Sequence, residues 1–292
     1  MKITTIELRQ GFLREKYVCE DEIIITVYLA LRLGKPILIT GAPGVGKTEI
    51  AKVLAKIFDT ELIRLQCYEG LDENKALYEW NYQRQLLKIQ MSKDGQAANH
   101  LEKSIFSEEF LLERPLLKAI RAVKTPVLLI DEIDKTDEEF EAFLFEVLSD
   151  FQVSIPELGT VVAKQIPIVI LTSNGERELS DGLKRRCVFL YIDYPSVDKE
   201  LQIVRAKVPE VGDKLSMQIA KAMNRIRGLD MKKAPAISEA LDWAKALVEL
   251  EVTSLDEKTV DSTLNLLLKD KEDQDNFRKQ LGAKGLIAAV NE

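Results

Sequence analysis

A single histidine, His100, and three cysteines, Cys19, Cys67 and Cys187, leave this 292-residue chain little material for metal or disulfide chemistry. The cysteines are odd in number and far apart, so neither a disulfide framework nor a zinc spacing can be built from them. They read instead as small apolar residues. Nothing approaches the roughly 18 consecutive apolar residues of a membrane-spanning helix. The start, Met1-Lys2-Ile3-Thr4-Thr5-Ile6-Glu7, lacks the apolar stretch of a secretory leader, so a cytoplasmic protein is expected. With 41 Lys and Arg against 48 Asp and Glu, the net charge of −7 argues against a general affinity for nucleic acid or anionic lipid. Hydrophobic residues make up 46% of the chain, which excludes a disordered one. The length predicts about two domains.

What the chain does carry is Gly41-Ala42-Pro43-Gly44-Val45-Gly46-Lys47-Thr48, a match to the G-x-x-x-x-G-K-[ST] phosphate loop. Pro36 to Thr40 ahead of it reads as a buried strand. Glu49 to Phe58 behind it has Ile50, Val53, Leu54 and Ile57 in helical spacing. Strand, glycine loop and helix are the setting in which backbone N–H groups turn inward around phosphate oxygens, aided by the helix dipole. In that setting Lys47 reaches the β/γ-phosphates and the Thr48 hydroxyl holds Mg²⁺.

Further buried strands are expected at Leu62 to Cys67, Val127 to Asp131, Pro167 to Asn174 and Val188 to Ile192, alternating with helices. A hairpin is expected over 151–164, and residues 70–105 read as a polar, irregular insertion. From Pro195 the pattern turns wholly helical, with Lys269 to Lys279 read as a solvated helix or connector. The expectation is an α/β nucleotide-binding domain over 1–194, with a parallel five-stranded sheet, followed by a small all-α domain over 195–292.

Asp131 and Glu132 end the third strand, where α/β proteins place their ligand chemistry. Asp131 suits the Mg²⁺ shell beside Thr48, and Glu132 suits polarising the water that attacks a γ-phosphate. Asn174 ends the next strand and can orient that water. Arg185 and Arg186 precede the last strand: in a monomer they are a surface basic pair, and in a ring one of them can reach a neighbouring subunit's nucleotide and stabilise the charge that develops there.

Taken together these features resemble the AAA+ ATPases over nearly the whole chain: a P-loop core followed by a helical lid. More narrowly, Phe143 to Phe151, the hairpin and Thr172-Ser173-Asn174 are similar to the MoxR family. Within it, Tyr78-Glu79-Trp80-Asn81-Tyr82 and Glu239-Ala240-Leu241-Asp242-Trp243-Ala244 resemble CoxD-type members. The resemblance implies ATP and Mg²⁺ as cofactors and assembly into a homo-oligomer, a hexameric ring. It also implies a metalloenzyme client such as a molybdenum hydroxylase (carbon monoxide dehydrogenase being one), and a von Willebrand A domain partner. A DNA-associated AAA+ ATPase of restriction or helicase-loader type is the alternative. One departure stands out: the lid position that carries a phosphate-sensing arginine in the family falls on Glu239, so either Lys232 or Lys233 substitutes or the lid is coupled to nucleotide differently.

Overall fold

The computed structural model describes residues 3–91 and 105–291. The chain divides into two compact units, one built from Met1–Leu8, Asp21–Thr40 and Thr48–Tyr191, the other from Arg9–Glu20, Gly41–Lys47 and Ile192–Glu292. After α1 (Thr5–Arg14) come α2 (Asp21–Leu33), β1 (Ile37–Gly41), α3 (Lys47–Ile57), β2 (Leu62–Gln66), α4 (Glu73–Ala76), β3 (Tyr78–Trp80) and α5 (Tyr82–Met91). These are followed by β4 (Leu111–Glu113), α6 (Pro115–Arg121), β5 (Val127–Asp131), α7 (Glu138–Asp150), β6 (Gln152–Ile155), β7 (Gly159–Val162), β8 (Ile168–Ser173), α8 (Asp181–Arg186) and β9 (Val188–Ile192).

The first unit is organised by a five-stranded parallel sheet in the order β2-β5-β8-β1-β9. Its inner strands are continuous apolar runs because both faces are covered, and every residue of β5 and β8 is buried. β5 lies in register between β2 and β8, Leu129 opposite Arg64 on one side and Ile170 on the other. The parallel α/β architecture expected from the alternating strands and helices is therefore found, and β5 and β8 end side by side. Residues 152–162 form two antiparallel strands, with Ile155 opposite Gly159.

Two expectations need correction. The described part of residues 70–105 is not irregular: it holds α4, β3 and α5, and β3 pairs with β4 through Trp80 and Leu111. α5 escaped notice because Leu86, Leu87 and Met91 are exposed, so its apolar residues do not mark a buried stripe. Residues 92–104 of the expected insertion lie outside the described residues. The stretch read as a solvated helix or connector is a helix, α13 (Lys271–Gln280), but not a wholly solvated one: Phe277 is fully buried and Asp273 accepts from the backbone N–H of Lys232 and Lys233.

Of the cysteines, Cys67 is buried while Cys19 and Cys187 are half-buried. Burial, reinforced by the Asp131 charge, pushes the Cys67 thiol up to about 12 and keeps it protonated. It packs in the sheet's core as a small apolar side chain.

The second unit contains α9 (Val197–Lys207), α10 (Asp213–Arg227), α11 (Ile237–Glu249), α12 (Glu257–Leu267), α13 and α14 (Gly282–Asn291). Their apolar faces converge on Ile219, Ile226, Trp243, Phe277 and Leu286. Inside this unit Arg227 grips Glu200 with two bonds, 2.6 and 2.8 Å, donates to Pro235 O at 2.7 Å and lies over the Tyr194 ring. Glu200 is completely buried, and burial pushes its carboxyl up against the pull of Arg227. Removing one member of such a pair strands the other charge. Arg227→Ala is expected to destabilise this unit by about 3–5 kcal/mol, to be read from a guanidinium unfolding curve.

Candidate nucleotide site

The phosphate-loop residues open α3, which begins at Lys47, two residues earlier than the apolar spacing indicates. Within the second unit the loop holds its shape because two glycines do what no other residue can. Gly41 has φ +147, and a Cβ there would lie 2.1 Å from Ile192 O. Gly44 has φ +78, with Ser238 Oγ and Ala236 Cβ only 2.5 and 2.8 Å from where a Cβ would stand. The loop curls around Lys47, 6% exposed, whose Nζ donates to Gly41 O at 2.6 Å and Ala42 O at 2.8 Å. Tyr17 Oη reaches Gly46 O at 3.4 Å. Ala42, Pro43 and Val45 complete the turn.

Thr48 follows Lys47 in the chain and belongs to the first unit. Its Oγ1 donates to Asp131 Oδ1 at 3.1 Å. Asp131, buried at the end of β5, also accepts from Thr172 Oγ1 at 2.5 Å and from Arg64 Nη2 on β2 at 2.5 Å. A hydroxyl and a carboxylate in contact are hard oxygen donors, the kind Mg²⁺ uses when water and phosphate fill the rest of its shell. Among the described residues no cluster of three or more His, Cys, Asp or Glu forms an all-protein metal cage.

Glu132 is the strained residue of the group. Its backbone is left-handed, φ 60 and ψ 50, which costs a side-chain-bearing residue energy. The strain turns the chain sharply after β5, with Glu132 N donating to Thr172 Oγ1 at 2.9 Å. Its carboxylate accepts from Lys135 Nζ at 2.7 Å, Gln66 Nε2 at 3.0 Å and Asn174 Nδ2 at 3.4 Å. Asn174 is fixed in turn, since Asp134 Oδ2 accepts from the N–H of both Asn174 and Glu176 at 3.0 Å. Asp134 is buried and its Oδ1 has no hydrogen-bond partner among the described residues. Glu141, buried below, holds the same segment further along through Ser180 N and Arg177.

A family model described as AAA domain, dynein-related subfamily, matches residues 36–187, just over half of the chain. The chain belongs to this family. An uncharacterized protein of Staphylococcus aureus is 29% identical over 226 residues, 75% of this chain and 77% of its own. One of Staphylococcus haemolyticus is 27% identical over 281 residues, 92% of this chain and 98% of its own. Among solved structures, the RuvB Holliday junction branch migration motor of Thermotoga maritima is 19% identical with a TM-score of 0.52, covering 91% of this chain and 76% of that one. A variant of that protein reaches 0.54 at 20% identity, covering 94% and 78%. At such identities the likeness is one of fold alone; it agrees with the AAA domain found over residues 36–187, and that domain implies nucleotide binding.

The remaining sequence-predicted residues of the AAA domain fall at the other end of the sheet. Arg185 and Arg186 close α8, both exposed. The Arg186 guanidinium lies 4.9 Å from the Phe145 ring centre, with Nε donating to Ser149 Oγ at 2.9 Å and Nη1 to Gly182 O at 3.1 Å. Arg185 has no ion pair or side-chain hydrogen bond among the described residues. In the second unit Glu239 is a helix cap, accepting from Ala236 N at 3.0 Å and Ser238 Oγ at 2.9 Å. Lys232 Nζ is paired with Glu272 at 2.5 Å.

Partners missed by sequence reasoning include Arg64, Gln66 and Thr172. The available signals were weak. Arg64 and Gln66 are polar residues alternating on a strand otherwise apolar, and Thr172 is a hydroxyl in a fully buried run, which must find a partner.

Proposed function

We propose that this AAA domain hydrolyses ATP with Mg²⁺ and acts as one subunit of a homo-oligomeric, hexameric ring that remodels a client protein. The observation that carries the reading is Glu132. A strained backbone holds its carboxylate beside Asn174, one residue past the Asp131 that touches Thr48. A protein that only gripped nucleotide would have no use for a carboxylate so placed. In the reaction Glu132 takes a proton from the attacking water, Asn174 orients that water, Lys47 and the loop N–H groups hold the phosphates, and Arg185 and Arg186 serve a neighbour's site. Thr48 and Asp131 would hold Mg²⁺, which when bound would neutralise phosphate charge. Residues 1–194 act as the nucleotide-binding domain and 195–292 as the lid.

The client we assign is a molybdenum hydroxylase such as carbon monoxide dehydrogenase, whose metal cofactor is inserted with the help of the ring and a von Willebrand A domain partner. Support comes from the MoxR and CoxD resemblance at 78–82, 143–151 and 239–244. The DNA-associated alternative has the β6–β7 hairpin in its favour and the net charge of −7 against it.

Purified protein is expected to release phosphate from ATP, and EDTA is expected to stop it. No release from the assembled protein with its partner present would end the enzymatic reading. A pull-down on a hydrolysis-deficient variant with ATP should retain a molybdenum hydroxylase; salt-sensitive retention of DNA instead would favour the alternative.

A further inference from the structure

Within the first unit a basic cavity and an acidic helix turn lie at opposite ends of the sheet. At the end where the strands begin, residues 30–35, Ile37, Thr125 and 163–168 line an open cavity of 590 Å³. Arg32, Lys35 and Lys164 are part of that lining and no acidic residue is. None of the three makes an ion pair or side-chain hydrogen bond among the described residues. Leu33 and Ile166, 63% and 56% exposed, add apolar surface to the same lining. Val188 N donates to Pro36 O at 2.8 Å, so the end of α8, with Arg185 and Arg186, lies beside this cavity's edge.

At the end where the strands finish, α7 opens with Glu138 and Glu139, both exposed and without an ion pair among the described residues. Asp137 is already spent as the cap, accepting from Phe140 N at 2.8 Å. The nucleotide chemistry uses neither the three cations nor these two acids. They also cannot neutralise one another within one chain, because strands of five or six residues hold the two ends roughly 17–20 Å apart.

We propose that the basic cavity takes the acidic first turn of α7 from a second copy of this chain. The contact joins different patches on the two partners, so it is heterologous and propagates around a ring if the rotation closes. It builds on the ring assigned above but needs no hydrolysis. The second copy is favoured as occupant because this chain itself carries the complementary acids at the opposite end of the same sheet. Single exposed pairs add little; here three cations act together beside apolar side chains that exclude water. Because the groups are exposed, added salt should loosen the assembly.

The test is sedimentation of the full chain with a non-hydrolysable ATP analogue at low and at high salt. Wild type is expected to assemble at low salt and dissociate as salt rises. A basic-end variant (Arg32→Glu with Lys164→Glu) and an acidic-end variant (Glu138→Lys with Glu139→Lys) are each expected to assemble at least about tenfold more weakly. Circular dichroism and analogue binding should stay unchanged in both. An equal mixture of the two should assemble again, because each altered patch then meets a complementary one. A wild type that stays monomeric, variants that assemble like wild type, or a mixture no better than its components would each overturn the proposal. So would low-salt DNA binding lost in the basic-end variant while assembly is intact. Assembly is read as mass, so a chain that assembles this way but never releases phosphate would sink the enzymatic reading and leave this one standing.

Discussion

Glu132→Gln is expected to lower phosphate release by about 10²–10⁴-fold, the usual contribution of a positioned general base, while affinity for ATP stays within about threefold. The amide is nearly isosteric and can still accept from Gln66 and Asn174, whose nitrogens lie 3.0 and 3.4 Å from the carboxylate. It cannot take a proton from water. The backbone at φ 60 is set by the turn after β5 and by the bond from Glu132 N to Thr172, neither of which involves the replaced atoms. The loss should therefore fall on turnover alone. Single-turnover phosphate release alongside equilibrium titration with a fluorescent ATP analogue separates the two quantities. If turnover stayed within tenfold of wild type, Glu132 would not be the base; if binding collapsed with it, the residue would belong to the grip on nucleotide.

The parts of this site that the sequence announces are those carried by local pattern. The loop at 41–48 lies between an apolar run and a helical face, and Asp131 and Glu132 follow four apolar residues. β5 and β8 are buried on both faces, so their composition reports their place directly. What stays hidden is carried by distance in sequence. Arg64 meets Asp131 across 67 positions and Gln66 meets Glu132 across 66. Both sit on β2, an edge strand of alternating burial, where polar residues at every second position read as ordinary solvent-facing ones. Glu239 stands where the family resemblance implies a phosphate-sensing arginine, a role a glutamate cannot fill; its carboxylate instead accepts from Ala236 N and caps the start of α11. In Lys269 to Lys279 the charge density hides two anchors: Phe277 is buried in the core and Asp273 accepts from the backbone of Lys232 and Lys233.

Arg186→Ala is expected to cut turnover by about 10³–10⁵-fold at a shared site, the measured worth of an arginine that completes phosphoryl transfer from outside, with ATP binding by the isolated subunit unaffected. Of the two arginines at the end of α8, Arg186 is the preorganised one. Phe145 under its plane, Ser149 at Nε and Gly182 at Nη1 fix the guanidinium while leaving it exposed, so little freedom is lost when it meets an anion. Arg185 has no such support, and its replacement should cost less. Arg186→Lys should not rescue, because an ammonium neither stacks on Phe145 nor presents a fork. Mixing decides whether the residue works across subunits. Arg186→Ala supplies an intact Glu132, and Glu132→Gln supplies an intact arginine, so a randomly mixed ring regains about a quarter of its productive interfaces. Two inactive preparations that together recover phosphate release would place the arginine in the neighbour's site. A mixture as inactive as its parts would confine Arg186 to its own subunit, where the grip on Phe145 and Ser149 would be its whole role.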